Sequence, residues 1–442
     1  LIKRTHEAGL KVIIDFVPNH VARDYGKTSA SDGHPMLGAN DDRDVHWKED
    51  NDFFYYPGEA LRLPTPCPLG MEPYMEMPAM ATGNNCYSPE PGINDWYETV
   101  KINYGDNHTA TWDRMLDILT FWAEKGVDGF RCDMVELIPQ SFMGWAISQM
   151  KSRCPDIIFI AEVYKKELYR DYVHKVGFDY LYDKSGLYDT LRSIVDKNVN
   201  DNGMPVDLWQ STTGITRNWQ FLGDLQPYML NFLENHDEQR FASEFFGRDG
   251  HNTYAPLYAS LFLNTAPFMI YFGEEVGESG MDEEGFSGRD GRTTIFDWWR
   301  VGSDRRLRKA IASKAYEDLK VSKLTAAGMK KDEAEIFCRF AQAVRLASAD
   351  TAISMGTTYD LCYCNMSSDG FDKNRHFAFL RDYEEHTLLI AINFSDKAAE
   401  MKLVIPEHAF EWMGIPITEK MYPGKVINVK VPPMDGTVIQ LV

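Results

Sequence analysis

The sequence predicts an α/β protein built on a mostly parallel sheet, broken by one long insertion and followed by an antiparallel β domain. Three observations carry that expectation. Six short apolar runs rich in β-branched and aromatic residues end in polar clusters: VIIDFV at 12–17, GVDGFRCD at 126–133, IIFIAEV at 157–163, VGFDYLYD at 176–183, YMLNFLENHD at 228–237 and PFMIYFG at 267–273. Helical patterns lie between most of them, and apolar strands alternating with helices are what a parallel sheet covered on both faces requires. Second, that rhythm stops between about 21 and 106, where Pro57, Pro64, Pro66, Pro68, Pro73, Pro78, Pro89 and Pro91 crowd one stretch. Structureless connections longer than about 15 residues are uncommon inside a compact domain, so the segment reads as an inserted subdomain. Third, from about 351 the pattern becomes a series of short strands: RHFAFLRDY, HTLLIAINFSD, EMKLVIP, KVINVKVPP and GTVIQLV. Six runs of the first kind fit a closed barrel or a doubly wound sheet, and the tail fits a β-sandwich.

Element by element, LIKRTHEAGLKVIIDF reads as the end of a helix, a stop at Gly9 and then a buried strand. TWDRMLDILTFWAEKG at 111–126 places Met115, Leu116, Leu119 and Trp122 on one helical face and stops at Gly126. The segment 303–348, with Lys and Arg dense among Leu and Ala, is expected to be helical and to close the α/β part.

The 442 residues are 44% hydrophobic and 25% charged, the composition of an ordinary globular protein, which excludes disorder and collagen-like repeats. The net charge of −20 repels phosphates and anionic headgroups, so nucleic acid is a poor partner. No apolar run reaches the roughly 18 residues of a membrane-spanning segment. Seven scattered cysteines cannot all pair within one chain; Cys67 and Cys86 could bridge one loop, but thiols are the expected state.

Polar residues at the carboxyl ends of parallel strands share one face, where such folds place their chemistry. The first run ends in Asp15, Asn19 and His20, the second in Arg131 and Asp133, the third in Glu162, and the fifth in Asn235, His236 and Asp237. A charge among buried strands is costly unless it is paired or used. Carboxylates converging with histidines and an arginine suit glycoside hydrolysis, in which a protonated carboxyl serves the leaving oxygen and an ionised one the anomeric carbon. Glu162 follows IIFIA, an apolar setting that favours the protonated acid, whereas Asp133 beside Arg131 is expected to stay ionised.

DFVPNH at 15–20, GFRCD at 129–133, IAEV at 160–163 and ENHD at 234–237 resemble, in order and strand position, the four signature regions of the α-amylase family, glycoside hydrolase family 13. PFMIYFGEEVG at 267–277 resembles the last barrel strand of that family, and the β-rich tail its C-terminal domain. The resemblance implies a (β/α)8 TIM barrel in 1–20 and 107–350, with an inserted domain at 21–106 after strand 3 and a C-terminal antiparallel β-sandwich at 351–442. On that alignment Leu1 lies just before the third barrel strand. The first two βα units, roughly 60 to 90 residues, are then expected to be missing from this sequence.

The implied activity is retaining hydrolysis of α-1,4-glucosidic bonds in starch, glycogen or maltooligosaccharides. Asp133 matches the nucleophile, Glu162 the general acid/base and Asp237 the third carboxylate. His20 and His236 match histidines that bind the sugar, Arg131 the arginine that orients the nucleophile, and Asp15 the more structural Asp of the first motif. The chemistry implies no cofactor. Asn19 resembles a ligand of the structural calcium found in many members. Where many amylases carry Lys-His after the nucleophile, this chain has Glu136 and Leu137, so that subsite is not the usual one. Transglycosylation by the same motifs, or a non-catalytic sugar-binding role, are the alternatives. Export fits a degrader of external polysaccharide, though the compartment stays open. Of the aromatic residues in the insertion (Trp47, Phe53, Phe54, Tyr55, Tyr56, Tyr87, Trp96 and Tyr97), most should form its small core and a minority should meet sugar. Arg292 and Trp298 are expected to line the cleft.

Overall fold

A computed structural model describes the chain except residues 26–35, 68–69, 71, 197–210, 281–289, 294–300, 420 and 442. Two compact units form, Leu1–Tyr182 and Asp183–Val442.

In the first unit, helix Ile2–Glu7 is followed by Gly9 in the left-handed region at φ 75°, and the chain turns into β1 (Ile13–Phe16). The insertion leaves along β2 (His20–Ala22) and passes through β3 (Tyr55–Tyr56) and β4 (Ala79–Met80), which pair antiparallel. It returns along β5 (Thr99–Lys101), which pairs antiparallel with β2 and sets His20 opposite Lys101. The excursion therefore comes back to the point where it left. Helix Ala110–Glu124 buries Trp112, Met115, Leu116 and Leu119, an i, i+3, i+4, i+7 stripe. Trp122 lies off that stripe and is 41% exposed, contrary to the sequence expectation; the face is anchored by Trp112 instead.

The strands β6 (Gly129–Cys132), β7 (Ile158–Ala161) and β8 (Tyr180–Tyr182) then line up with β1, all parallel, in the order β1, β6, β7, β8. Helix Gln140–Arg153 lies between β6 and β7 in the chain. Every residue of β6 is buried, as the unbroken apolar run requires. At Gly129 the strands come so close that a Cβ would stand 2.6 Å from the Ile158 carbonyl oxygen, so only glycine fits there.

The second unit contains β9 (Met229–Phe232) and β10 (Phe268–Met269), again parallel, with Asn231 level with Phe268. Each of the six apolar runs thus supplies one parallel strand. The tail folds as β11 (Thr357–Asp360), β12 (His376–Tyr383), β13 (His386–Asn393), β14 (Ala399–Val404), β15 (Val426–Val431) and β16 (Asp435–Gln440). Four strands form an antiparallel sheet in the order β11, β12, β13, β16, and β14 pairs with β15.

The two faces of this larger sheet have different partners. Phe377, Phe379, Leu388, Ile390 and Ile392 share a core with Leu257, Phe262 and Phe340 from helices Tyr254–Phe262 and Lys331–Ala349. Ala378, Leu380, Leu389 and Ala391, one residue out of phase, pack with Met401, Leu403, Val429 and Val431 of the smaller sheet. That double coverage explains why β12 and β13 read as solid apolar runs, without the alternation of a half-exposed sandwich strand. Among the described residues no helix is long and apolar enough to cross a membrane. All seven cysteines are thiols.

Candidate active site

The parallel register of the first unit sets the chemistry. Asp15 on β1 is level with Arg131 on β6, and Arg131 with Ile160 on β7. One step past the strands the ladder continues, with the Asp133 N–H donating to the Phe16 carbonyl at 2.9 Å and the Glu162 N–H to the Cys132 carbonyl at 3.0 Å. Both carboxylates therefore stand at the carboxyl ends of adjacent strands.

Arg131, 7% exposed, lies among three carboxylates. Its Nη1 meets Asp133 Oδ1 at 2.8 Å and Asp15 Oδ1 at 3.4 Å, and its Nη2 lies 2.7 Å from Glu162 Oε1. The guanidinium sits 5.5 Å from the centroid of the Tyr182 ring. Burial works against its charge, but Tyr182, Glu162, Asp15 and Asp133 together outweigh that and hold its proton more firmly than water would.

Glu162, 2% exposed, accepts from the Met134 N–H at 3.0 Å and from the Tyr164 hydroxyl at 2.7 Å. Met134 reaches that geometry with φ at 45°, a strained value for a residue with a side chain, and this aims its N–H at the carboxylate. Burial, and then the charge of Glu162, push Asp133 up to about 7, with Arg131 opposing. The sequence predicts an Asp133 held ionised by Arg131, and for this residue the structure differs. The reason for the difference is that the burial of Asp133 and the neighbouring Glu162 charge outweigh Arg131, a cation that also faces Asp15 and Glu162. Two close carboxylates cannot both ionise cheaply, so the pair keeps one proton towards neutral pH.

A pH effect on stability follows. The folded chain binds the Asp133 proton more tightly than an unfolded one, whose value is near 3.8. The cost of ionising it is absent below both values and grows as pH rises towards 7. Asp133→Asn removes that cost, so its gain in Tm over the native chain should be larger at pH 8 than at pH 5. Melting curves at the two pH values check this; an equal or smaller gain at pH 8 contradicts it.

His20 begins β2 with its ring 5.5 Å from that of Trp96. Burial, then the charge of Lys101, lower its proton affinity, so it stands ready as a neutral hydrogen-bonding imidazole. Asn19 is wholly buried: its Nδ2 donates to the Gly83 carbonyl at 2.8 Å and its Oδ1 accepts from Lys101 Nζ. The oxygen that the resemblance offers to calcium is therefore turned to an ammonium, and among the described residues no group of three or more His, Cys, Asp or Glu side chains is placed to hold a metal ion. The residues around Asn19 do not fit a calcium ion.

His236 and Asp237 belong to the second unit. There Asn235, 3% exposed, accepts the N–H groups of Asp237 and Glu238 at 2.9 Å each, and that turn fixes the loop after β9. His236 Nε2 is 3.3 Å from Asp237 Oδ2. Arg292, expected at the cleft, donates from Nε to the Asp237 carbonyl at 2.6 Å and pairs with Asp290 at 2.5 Å, so it supports this loop; Trp298 lies outside the described residues. Glu234 of the same motif is structural, sealed against the buried Arg240 at 2.7 Å.

Sequence reasoning passed over Tyr182, Tyr164 and Lys101. Tyr182 had a signal, because it is the last strand residue of the fourth apolar run, directly before Asp183. Glu136, at the unusual position after the nucleophile motif, accepts the backbone N–H groups of Tyr164 and Lys165 and so ties down the segment after β7. In the insertion Phe53 and Tyr55 are core, at 5% and 2% exposed, whereas Trp47 and Tyr87 are nearly half exposed. With Phe54, Asn85, Asp106 and Leu137 these two line a cavity of about 250 Å³.

The Alpha amylase catalytic domain model matches residues 1–318. Alpha-amylase 3 of Dictyoglomus thermophilum is 27% identical over 308 residues, covering 63% of this chain and 50% of that protein. The Alpha-1,4-glucan:maltose-1-phosphate maltosyltransferase of Rhodospirillum rubrum is 37% identical over 79 residues, 18% of this chain and 12% of that one. The chain thus spans half the length of the first and much less of the second. Among solved structures, the debranching enzyme from Nostoc punctiforme superposes with TM-score 0.63 at 17% identity, covering 99% of this chain and 78% of that one. The α-amylase from Geobacillus thermoleovorans superposes with TM-score 0.60 at 16% identity, covering 100% and 79%. The fold is the TIM-barrel amylase fold with a C-terminal β-sandwich. The chain belongs to the α-amylase family, glycoside hydrolase family 13.

Proposed function

We propose that this chain cleaves α-1,4-glucosidic bonds of starch, glycogen or maltooligosaccharides with retention of configuration. The observation that carries the reading is the Asp133 and Glu162 pair, on adjacent strand ends, sharing Arg131 and holding one proton towards neutrality. A retaining mechanism needs one ionised and one protonated carboxyl at a single site. For the reaction the single proton of the pair has to lie on Glu162, not on Asp133, where burial and the Glu162 charge favour it. Asp133, then ionised, attacks the anomeric carbon while Glu162 delivers the proton to the departing glycosidic oxygen; the C–O bond breaks and a glycosyl ester forms on Asp133. Glu162, now ionised, takes a proton from water, whose oxygen attacks the anomeric carbon and frees Asp133. By their match to the family's motifs, His20, held neutral by burial, and, separately, His236 and Asp237 are assigned to sugar hydroxyls, and the cavity flanked by Trp47 and Tyr87 offers flat faces to further rings.

Transfer to a sugar hydroxyl in the second step is the competing reading. It is favoured by the maltosyltransferase relative and by Glu136, which replaces a sugar-binding cation with a carboxylate committed to backbone. Maltoheptaose separates the two readings. Hydrolysis should yield only shorter sugars, released first as the α-anomer by NMR. Sugars longer than the starting chain would establish transfer, and an initial β-anomer would refute retention.

A further inference from the structure

The resemblance places a calcium ion where the insertion meets the barrel strands, and the residues at that place do not fit one. We propose that the Lys101 ammonium stands there as a built-in cation, locking the end of β1, the insertion and the loop after Asp133 together without metal.

Lys101 ends β5 and is 5% exposed. Its Nζ donates to Asn19 Oδ1 and, at 2.5 Å, to the Leu137 carbonyl. Asn19 carries the connection onward, with its Nδ2 on the Gly83 carbonyl and 3.2 Å from His20 Nδ1. Segments separated by 82 and 36 residues in the chain are thereby joined at one nitrogen. The stem of Lys101 is itself fixed, since its N–H donates to the Ala81 carbonyl at 2.9 Å and its backbone pairs with His20.

The donor set suits an ammonium and not a calcium ion. An amide oxygen and a peptide carbonyl are both neutral, and among the described residues Lys101 has no ion pair. Calcium takes about six to eight oxygens, carboxylates prominent among them. An ammonium needs few acceptors and carries a single charge. The two are also mutually exclusive, because a metal on these oxygens would lie in contact with a like charge.

Leu137 closes the turn Val135–Leu137, which starts directly after Met134, the donor to Glu162; Asn19 precedes His20. Lys101 is thus a positioning residue. Its bearing on activity rests on the function proposed above, whereas its bearing on stability does not.

Thermal unfolding is the test. The native chain should melt at the same temperature, within about 1 °C, with excess EDTA and with millimolar calcium, because a ligand that does not bind the fold cannot shift its melting. Lys101→Met keeps the stem and removes the donors, leaving two buried oxygens unsatisfied; its Tm should fall by more than about 4 °C. A fall in native Tm with EDTA, or a rise with calcium, would overturn the proposal, as would Lys101→Met melting like the native chain. The arm on the native chain needs no variant, so a Lys101→Met chain that fails to fold leaves the proposal decidable. An inactive chain with a metal-independent Tm would refute the function reading and leave this one standing.

Discussion

Asp133→Ala should lower kcat on maltooligosaccharides by about 10⁴-fold or more, some 5.5 kcal/mol in barrier, because the covalent step loses its only attacking atom. Its distinguishing signature is chemical. With α-glucosyl fluoride and azide, the small anion can enter the space left by the carboxylate and attack the same carbon, giving β-glucosyl azide. Glu162→Ala should behave differently. Fluoride leaves without a proton, so that substrate should still form the glycosyl ester on Asp133, and azide should then release α-glucosyl azide. The pair of products tests both assignments together, because the two variants deliver azide to opposite faces of the ring. Turnover of Asp133→Ala within tenfold of the native chain would exclude Asp133 as nucleophile and would revive the non-catalytic, sugar-binding reading.

The second large effect is on the fold. Arg131→Met should destabilise the chain by about 3–5 kcal/mol, since it leaves buried carboxylates without their cation. Natural domains have only about 5–15 kcal/mol in total, so much of the variant should be unfolded or insoluble. The loss should grow as pH rises. Without Arg131, the folded affinity of Asp133 for its proton moves further above the unfolded value, and a raised carboxyl costs stability as pH climbs through the interval between the two. Urea unfolding of Arg131→Met at pH 5 and pH 8 measures both the size and the slope. Asp15, with its side chain 57% exposed and 3.4 Å from the guanidinium, should matter far less. A loss below about 1 kcal/mol at pH 8 would show that Arg131 is not the common counter-ion of the cluster.

Much of this arrangement was legible in the chain. The apolar runs reveal their strands because a strand covered on both faces cannot carry polar residues along its length, so the polar ones collect at its end. Asp133 and Glu162 were visible for that reason, and Tyr182 could have been. The insertion was visible as a broken rhythm, and the tail as a new one. The helix face was misjudged at Trp122 because periodicity over one short helix is also satisfied by neighbouring stripes, and packing chooses among them.

The sequence by itself therefore determined the order of strands, the residues at their ends and the family they belong to, all properties written in local pattern and in the order of motifs. Tertiary structure alone decided how charge is distributed among those residues. Arg131 meets Asp15, 116 positions away, as well as its neighbour Asp133, and burial together with the nearby Glu162 charge outweighs it and leaves a proton on the carboxylate pair. Lys101, an unremarked lysine at the end of a short strand, became the cation beneath Asn19 only when the insertion returned to its starting point. The physical reason is common to both cases: Coulomb energies and desolvation depend on distance through space, and the spacing of residues along a chain does not contain those distances.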